Sequence, residues 1–199
     1  MLLSHFSTYT LEAGTDEVGR GCLAGPVVAA AVILPKDYQN KELNDSKKMN
    51  ASKRERLAQL IQQEALAWGI AAVDNKEVDQ INVLNASFLA MTRAIQILSP
   101  TPEFLLIDGN RFKSSLSIPF ECIVKGDGKY LSIAAASILA KTHRDALMKN
   151  YHEQEPYYAW DKNKGYPTKA HREGIRKHGI SHLHRKTFQL LPSQLEIDF

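Results

Sequence analysis

The chain has 199 residues, of which 44% are hydrophobic and 24% are charged. This length and ordinary composition predict one domain over residues 1–199 and exclude a wholly disordered or collagen-like chain. The longest uncharged run, Gly21–Pro35, has 15 residues, whereas a helix that spans a bilayer needs roughly 20, so no membrane association is expected. The N-terminus shows no export signal, and two cysteines without a C-x-x-C pair indicate a reducing, cytoplasmic location.

The net charge of +3 is unevenly distributed along the chain. Residues 161–186 contain eight Lys or Arg and two acidic residues, a local charge of +6, so the remainder is mildly acidic. A basic segment beside an acidic body is typical of a protein that binds a polyanion, although a solvated helix face can carry the same charges. We expect residues 150–199 to form a basic, helical C-terminal segment of the domain.

Apolar patterning predicts strands in the first 124 residues, with helices between and after them. The predicted strands cover residues 11–16, 27–34, 66–73, 104–107 and an edge strand at 120–124. The first predicted helix begins at a Ser52-x-x-Glu55 capping box. An apolar stripe from Ile81 to Leu98 predicts a second helix, and two more are predicted at Tyr130–Met148 and Thr168–Lys177. This pattern predicts an α/β fold with a mixed β-sheet flanked by helices.

Acidic residues lie at the ends of three predicted strands. Asp16 and Glu17 close the first strand, Asp108 follows the strand at 104–107, and Asp127 lies between two glycines. Carboxylates that meet at one edge of a sheet repel one another unless cations lie between them. Mg²⁺ and Mn²⁺ prefer such oxygen ligands, and two ions about 4 Å apart can activate a water and stabilise the leaving oxygen of a phosphodiester. Taken alone, each acidic residue is more typical of a residue that caps a turn than of a catalytic one.

Six motifs follow one another along the chain. They are Asp16-Glu17-Val18-Gly19-Arg20-Gly21 with Gly25-Pro26, Asp45-Ser46-Lys47-Lys48, Leu106-Ile107-Asp108-Gly109-Asn110, Lys125-Gly126-Asp127, the run 132–141, and Gly165-Tyr166-Pro167-Thr168. In this order they resemble the type 2 ribonucleases H, which include ribonuclease HII in bacteria. The resemblance extends from about residue 10 to His184. It implies a ribonuclease H-like fold in which two divalent ions are held by Asp16, Glu17, Asp108 and Asp127.

The resemblance also implies how substrate is recognised. It assigns Gly19-Arg20-Gly21 to the ribose 2′-hydroxyl and the adjacent phosphate, and Tyr166 to the scissile junction. Glycines let backbone groups approach a sugar closely, and the 2′-hydroxyl distinguishes RNA from DNA. Taken alone, the glycines would indicate a tight turn and Tyr166 a partly buried tyrosine. The residues expected to line the phosphate track are Lys47, Lys48, Ser137, Lys141 and Arg144.

The implied activity is that of an endonuclease that uses Mn²⁺ or Mg²⁺. Its substrates would be the RNA strand of RNA/DNA hybrids and ribonucleotides embedded in duplex DNA, which it would cut on their 5′ side to leave 3′-hydroxyl and 5′-phosphate ends. A monomer is expected. One alternative is a DNA nuclease or resolvase of the same fold, against which the ribose-reading loop argues. The other is a non-catalytic hybrid-binding module, against which the four acidic residues argue.

The last six residues, Gln194–Phe199, loosely resemble the glutamine-then-hydrophobic peptides by which repair proteins dock on the bacterial sliding clamp. Chain ends often fray, so Leu195, Ile197 and Phe199 could enter a hydrophobic pocket on such a partner. The alternative, which we favour from the sequence, is that this tail packs on its own domain.

Overall fold

The computed structural model describes residues 2–43 and 49–191, and the following description concerns these residues. The strands are β1 (Glu12–Val18), β2 (Val27–Ile33), β3 (Ala67–Val73), β4 (Phe104–Asp108) and β5 (Phe120–Ile123). The helices are α1 (Ala51–Glu64), α2 (Asn75–Ile81), α3 (Val83–Gln96), α4 (Leu131–Gln154), α5 (Trp160–Asn163) and α6 (Lys169–His178). In the described part of the chain, no helix is both long and apolar enough to cross a membrane.

The strands form one mixed sheet in the order β3-β2-β1-β4-β5. β2 is antiparallel to β1 and β3, whereas β4 is parallel to β1 and β5. The mixed sheet flanked by helices and the edge position of β5 confirm the predicted architecture. β2 is buried along its whole length because Ala29 and Ala31 face α3 while Val28 and Val32 face α4.

A close approach between α4 and β1 sets the position of the helix on the sheet. A Cβ atom at Gly14 would overlap the backbone of Ser132 in the first turn of α4, so only glycine fits there. The alanines at 134, 135 and 136 are fully buried and keep the helix close to the sheet along its next turn. This contact brings the start of α4 to the end of β1 where Asp16 lies.

Two helix boundaries differ from the predictions. The side chain of Asn50, rather than Ser52, caps α1 by accepting a hydrogen bond from the Lys53 N–H at 2.9 Å. The predicted helix from Ile81 to Leu98 is interrupted at Asn82, whose φ of 65° ends α2 and whose side chain caps α3. The apolar stripe continues across the break because both helices pack on the same face, so periodicity alone does not reveal it.

The C-terminal segment contains a buried polar network. Trp160 Nε1 donates to His171 Nε2 at 3.0 Å, and the Ser181 N–H donates to His184 Nδ1 at 2.9 Å. These donors fix the tautomers, so His171 Nδ1 donates to the Tyr166 carbonyl at 2.9 Å and His184 Nε2 donates to His171 Nε2 at 3.1 Å. Both rings are neutral in this pattern, and burial accordingly lowers the pKa of His171 and lowers that of His184 to about 4.

We expect the free energy of unfolding to decrease as the pH falls from about 6.5 to about 4. In this range the unfolded chain binds a proton at His184 that the folded chain excludes, so the loss begins near the unfolded pKa and is complete below the folded pKa. One pKa unit corresponds to about 1.4 kcal/mol, which limits this contribution to roughly 3 kcal/mol. Denaturant unfolding at neutral and acidic pH measures the loss.

His184→Asn is the matched variant for this measurement because its side-chain oxygen can still accept a hydrogen bond from the Ser181 N–H. The variant lacks the titrating ring and should therefore lose less stability between the two pH values than the wild-type protein does. An equal loss in both proteins would assign the pH dependence to other groups.

Candidate active site

Acidic residues meet where the parallel strands separate. Thr15 and Ile107 are the last residues that pair β1 with β4, and Asp16 and Asp108 follow them directly. Asp127 lies beyond the end of β5, in a short 3₁₀ turn that precedes α4 as predicted. The carboxyl ends of parallel strands are where α/β proteins commonly place their active sites.

Asp16 is buried and the Glu17 side chain is largely covered, although they are consecutive strand residues. β1 continues to Val18, two residues beyond the predicted 11–16, and its pairing with β2 stays regular, so the prediction that the strand closes at Asp16 and Glu17 is wrong. The two side chains leave opposite faces of the strand. Asp16 is only 6% exposed and the Glu17 side chain only 9%, which leaves both carboxylates largely desolvated.

The carboxylates act on one another electrostatically. Burial raises the pKa of Asp16 well above its usual value, and repulsion from Glu17 and Asp108 raises it further. Hydrogen bonds to Asp16 from the Ser137 hydroxyl and from the Glu17 N–H, the latter at 2.7 Å, oppose this rise in pKa. Burial likewise raises the pKa of Glu17, against the attraction of Arg20, whose Nη1 lies 3.2 Å from Glu17 Oε1. A cation at this edge would favour the ionised carboxylates.

A backbone hydrogen bond connects Asp108 to the turn that carries Asp127. The Gly126 N–H donates to Asp108 Oδ1 at 2.7 Å. A Cβ atom at Gly126 would lie 2.5 Å from Ile133 Cδ1 and 3.3 Å from Asp108 Oδ1, so the turn passes very close to both. The Asp127 side chain next to it is buried.

The carboxylates of Asp16, Glu17, Asp108 and Asp127 are suitable ligands for a divalent cation, although they do not surround one common position in this structure. All four groups offer the carboxylate oxygens that hard ions prefer. Among residues 2–43 and 49–191, no three His, Cys, Asp or Glu side chains are grouped so that they could hold a metal ion. Asp108 is engaged with Gly126 and Glu17 with Arg20, so these two side chains would have to turn to reach a common ion.

The Gly19-Arg20-Gly21 loop and Tyr166 lie together beside the acidic edge, which is the end of the sheet where Asp16, Glu17 and Asp108 lie. Gly19 has a φ of 99°. A Cβ atom at Gly21 would lie 4.0 Å from Tyr166 Cε1. The hydroxyl of Tyr166 hydrogen-bonds Cys22, whose thiol donates to the Lys164 carbonyl at 3.6 Å. Cys22 is buried, whereas the Tyr166 side chain remains partly exposed.

Two clefts flank these groups. A cleft of about 210 Å³ opens over Glu17 and Asp108, and Arg20 and Arg111 lie in its wall. Arg111 was not identified from the sequence, where the only signal is a cation three residues after Asp108. A larger cleft of about 660 Å³ extends from Tyr166. Its basic lining residues are Arg54, Lys141, Lys149, Lys162 and Lys164.

Several residues of the predicted phosphate track are placed differently. Ser137 is buried beneath Asp16. Lys141 lines the larger cleft, but its Nζ also donates to Asp145 Oδ1 at 2.6 Å. Arg144 is fully buried, so its prediction as a phosphate-track residue is wrong. Lys47 and Lys48, with the rest of their motif, lie outside the described residues.

The mixed sheet flanked by helices is a ribonuclease H-like fold, and acidic residues lie where its parallel strands end. The family model described as Ribonuclease HII matches residues 13–191. The chain therefore belongs to the ribonuclease HII family, and the predicted ribonuclease H activity is confirmed.

Relatives and solved structures agree with this assignment. The chain is 59% identical over 198 residues to a Ribonuclease HII of Christiangramia forsetii, with 100% of both chains covered. It is similar to the structure of the PCNA:RNase HII complex from Archaeoglobus fulgidus, with a TM-score of 0.75, 23% identity, and 93% of this chain and 98% of that chain covered. It is also similar to Bst-RNase HIII in complex with Mn²⁺, with a TM-score of 0.68, 21% identity, and 90% and 67% coverage. These structures confirm the predicted fold.

Gly126→Ala should reduce activity because the added Cβ would push the turn away from Asp108 and Ile133. A displacement of about 1 Å can lower kcat/KM by roughly 100-fold, and overpacking should lower the free energy of unfolding by about 1–3 kcal/mol. Gly128→Ala is the matched control because a Cβ there meets no atom within 4 Å. Equal activities of the two variants, measured on one hybrid substrate, would show that the position of this turn is unimportant.

Proposed function

We propose that Asp16, Glu17, Asp108 and Asp127 hold two divalent cations, Mg²⁺ or Mn²⁺, in a site for phosphodiester hydrolysis. The observation that carries this proposal is the mutual repulsion of buried carboxylates at the ends of β1 and β4. The similarity to Bst-RNase HIII in complex with Mn²⁺ supports it. Two such ions supply an activated water and stabilise the leaving oxygen, which gives 3′-hydroxyl and 5′-phosphate ends.

The surrounding residues orient these carboxylates. The hydroxyl of Ser137 holds Asp16 from beneath, so Ser137 acts through Asp16 and not by contact with substrate. Arg20 keeps Glu17 at the entrance of the smaller cleft, and the Gly126 N–H holds Asp108. Asp16, Glu17 and Asp108 therefore start from defined positions. Glu17 and Asp108 would have to reorient to bind a common cation.

The substrate is a duplex in which ribose is recognised at the cleavage point, either in an RNA/DNA hybrid or at a single ribonucleotide embedded in DNA. Gly19, Arg20 and Gly21 contact the 2′-hydroxyl and its phosphate, and the exposed part of the Tyr166 ring packs beside the junction. Lys141 and Lys164, in the cleft next to Tyr166, hold phosphates of the flanking duplex. Lys47, which lies outside the described residues, is expected to bind phosphate as well. Counterion release at such cations provides affinity that does not depend on sequence.

A duplex DNA with one ribonucleotide tests the function directly. The protein with Mg²⁺ or Mn²⁺ is expected to cut this duplex on the 5′ side of the ribonucleotide and to leave an all-DNA duplex of equal length intact. Cleavage of both at the same rate would contradict recognition of ribose. Binding of the first duplex without cleavage would contradict the catalytic role of the acidic edge.

Asp108→Asn should abolish this cleavage because the amide keeps the size of the side chain and loses its charge. The free energy of unfolding should not fall, because repulsion on Asp16 and Glu17 is relieved. Asp37→Asn makes the same chemical change in an exposed turn and should cleave like the wild-type protein. Wild-type activity of a folded Asp108→Asn variant would remove Asp108 from the site.

We also propose that Gln194–Phe199, which lie outside the described residues, dock on a sliding clamp. The Archaeoglobus fulgidus enzyme of similar fold was solved as a PCNA:RNase HII complex, which makes a sliding clamp the partner to test. Removal of the last six residues should abolish clamp binding in a calorimetric titration and leave cleavage of short oligonucleotides unchanged. A loss of stability on truncation, with no clamp binding by the intact protein, would instead support packing on the domain.

A further inference from the structure

Two arginine side chains are fully buried next to the Gly19-Arg20-Gly21 loop. Arg144 comes from α4, and Arg185 follows α6; both are 0% exposed. In the part of the chain that the structure describes, neither forms an ion pair with a carboxylate. A buried cation without a counter-charge is unfavourable unless hydrogen bonds replace its hydration. Backbone carbonyls provide those hydrogen bonds here.

Arg144 joins residues 24–26, which follow the Gly19-Arg20-Gly21 loop, to the turn that carries Tyr166. Its Nε donates to the Pro26 carbonyl at 2.9 Å, and its Nη2 donates to the Ala24 carbonyl at 3.1 Å. Its Nη1 donates to the Lys164 carbonyl at 2.7 Å, two residues before Tyr166. One planar guanidinium thus sets the distance between two segments that are far apart in the sequence.

Arg185 holds the same loop from its other side. Nε and Nη2 both donate to the Gly25 carbonyl, at 3.1 and 2.9 Å, and Nη1 donates to the Arg20 carbonyl at 2.9 Å. The guanidinium carbon lies 5.1 Å from the centre of the Phe188 ring. Burial lowers the pKa of Arg185 to about 10, so the side chain remains a cation at neutral pH.

These hydrogen bonds orient the peptide groups of the loop. The carbonyls of Arg20, Ala24 and Gly25 are all directed to guanidinium groups. Within the described ranges, the N–H groups of Arg20 and Gly21 donate to no protein acceptor. Consecutive free N–H groups in a turn bind anions and hydroxyl oxygens. The loop therefore presents donors to a ligand while its carbonyls are held inside.

The two cations also act electrostatically at the base of this loop. Burial raises the pKa of the Cys22 thiol, and the positive charges of Arg144 and Arg185 oppose this rise. Their positive charge thus reaches the region between the loop and Tyr166, where a substrate phosphate would approach.

We propose that Arg144 and Arg185 are positioning residues for ribonucleotide recognition, which fix the spacing of the Gly19-Arg20-Gly21 loop and Tyr166 by holding the carbonyls of Arg20, of residues 24–26 and of Lys164. This inference rests on the proposed role of the loop and Tyr166 at the ribose junction. Neither arginine touches the substrate, because both are completely covered by protein.

Arg144→Lys and Arg185→Lys test this inference because lysine keeps the charge and loses the planar set of donors. For each folded variant, kcat/KM on a duplex with one ribonucleotide should fall by about 10- to 100-fold, mainly through kcat. Affinity for an all-DNA duplex should change by less than about twofold, since phosphate contacts supply it. Arg185→Lys decides the question if Arg144→Lys does not fold, because Arg185 holds the Arg20 carbonyl of the loop itself.

Ile61→Ala is the control for a general loss of stability. Ile61 is buried in α1, in the apolar cluster that α1 forms with α4 and β2, and it is not one of the residues that hold the loop. At a temperature where all variants are folded, it should keep wild-type kinetics. An equal loss of kcat/KM in Ile61→Ala, or wild-type kinetics in both arginine variants, would overturn the inference.

A double-mutant cycle with Tyr166→Ala separates this inference from the proposed function. If Arg144 acts through the spacing of the loop and Tyr166, the double variant should lose less than the product of the two single losses. A full product would overturn the positioning role. If Arg20→Ala with Tyr166→Ala leaves cleavage unchanged, the assignment of the ribose junction itself fails. If that pair impairs cleavage and the arginine variants do not, only the positioning role fails.

Discussion

The concentration of negative charge where β1 and β4 separate governs this site. Asp16 and Asp108 follow the last residues that pair the two strands, and Glu17 lies beside them. Burial raises the pKa of Asp16 and of Glu17, and mutual repulsion adds to the rise, so the edge favours protons or cations. Arg20 and the Gly126 N–H balance part of this charge. Divalent cations would balance the rest, which connects the electrostatics of the fold to hydrolysis of a phosphodiester.

Contacts outside the acidic edge keep its charges from moving apart. Gly14 allows α4 to lie directly on β1, which keeps the start of that helix beside the carboxylates. On the other side, the buried guanidiniums of Arg144 and Arg185 hold the loop that follows β1. The His171 and Trp160 pair in turn fixes the carbonyl of Tyr166. The acidic edge and the Gly19-Arg20-Gly21 loop are therefore parts of one framework, joined by the hydrogen bond from Arg20 to Glu17.

Local signals in the sequence predicted the strands, the mixed sheet and the family. Apolar runs of strand length mark β2 and β4, and ordered motifs mark the acidic residues and the Gly-Arg-Gly loop. Features that depend on distant contacts were not predictable. Arg144 stands between His143 and Asp145 in the sequence and resembles a surface cation. Nothing local shows that it is surrounded by the carbonyls of Pro26 and Ala24, which lie 118 and 120 residues away. The break at Asn82 was hidden for a similar reason, since the apolar stripe crosses it.

Direct measurement of Mn²⁺ binding tests the central claim, that the acidic edge is a divalent-cation site. Calorimetric titration of the wild-type protein is predicted to show binding, and Asp16→Asn and Asp108→Asn should each weaken it by at least about tenfold. Asp37→Asn, in an exposed turn, should bind as the wild-type protein does. Unchanged Mn²⁺ affinity in an Asp108→Asn variant that unfolds like the wild-type protein would contradict the account.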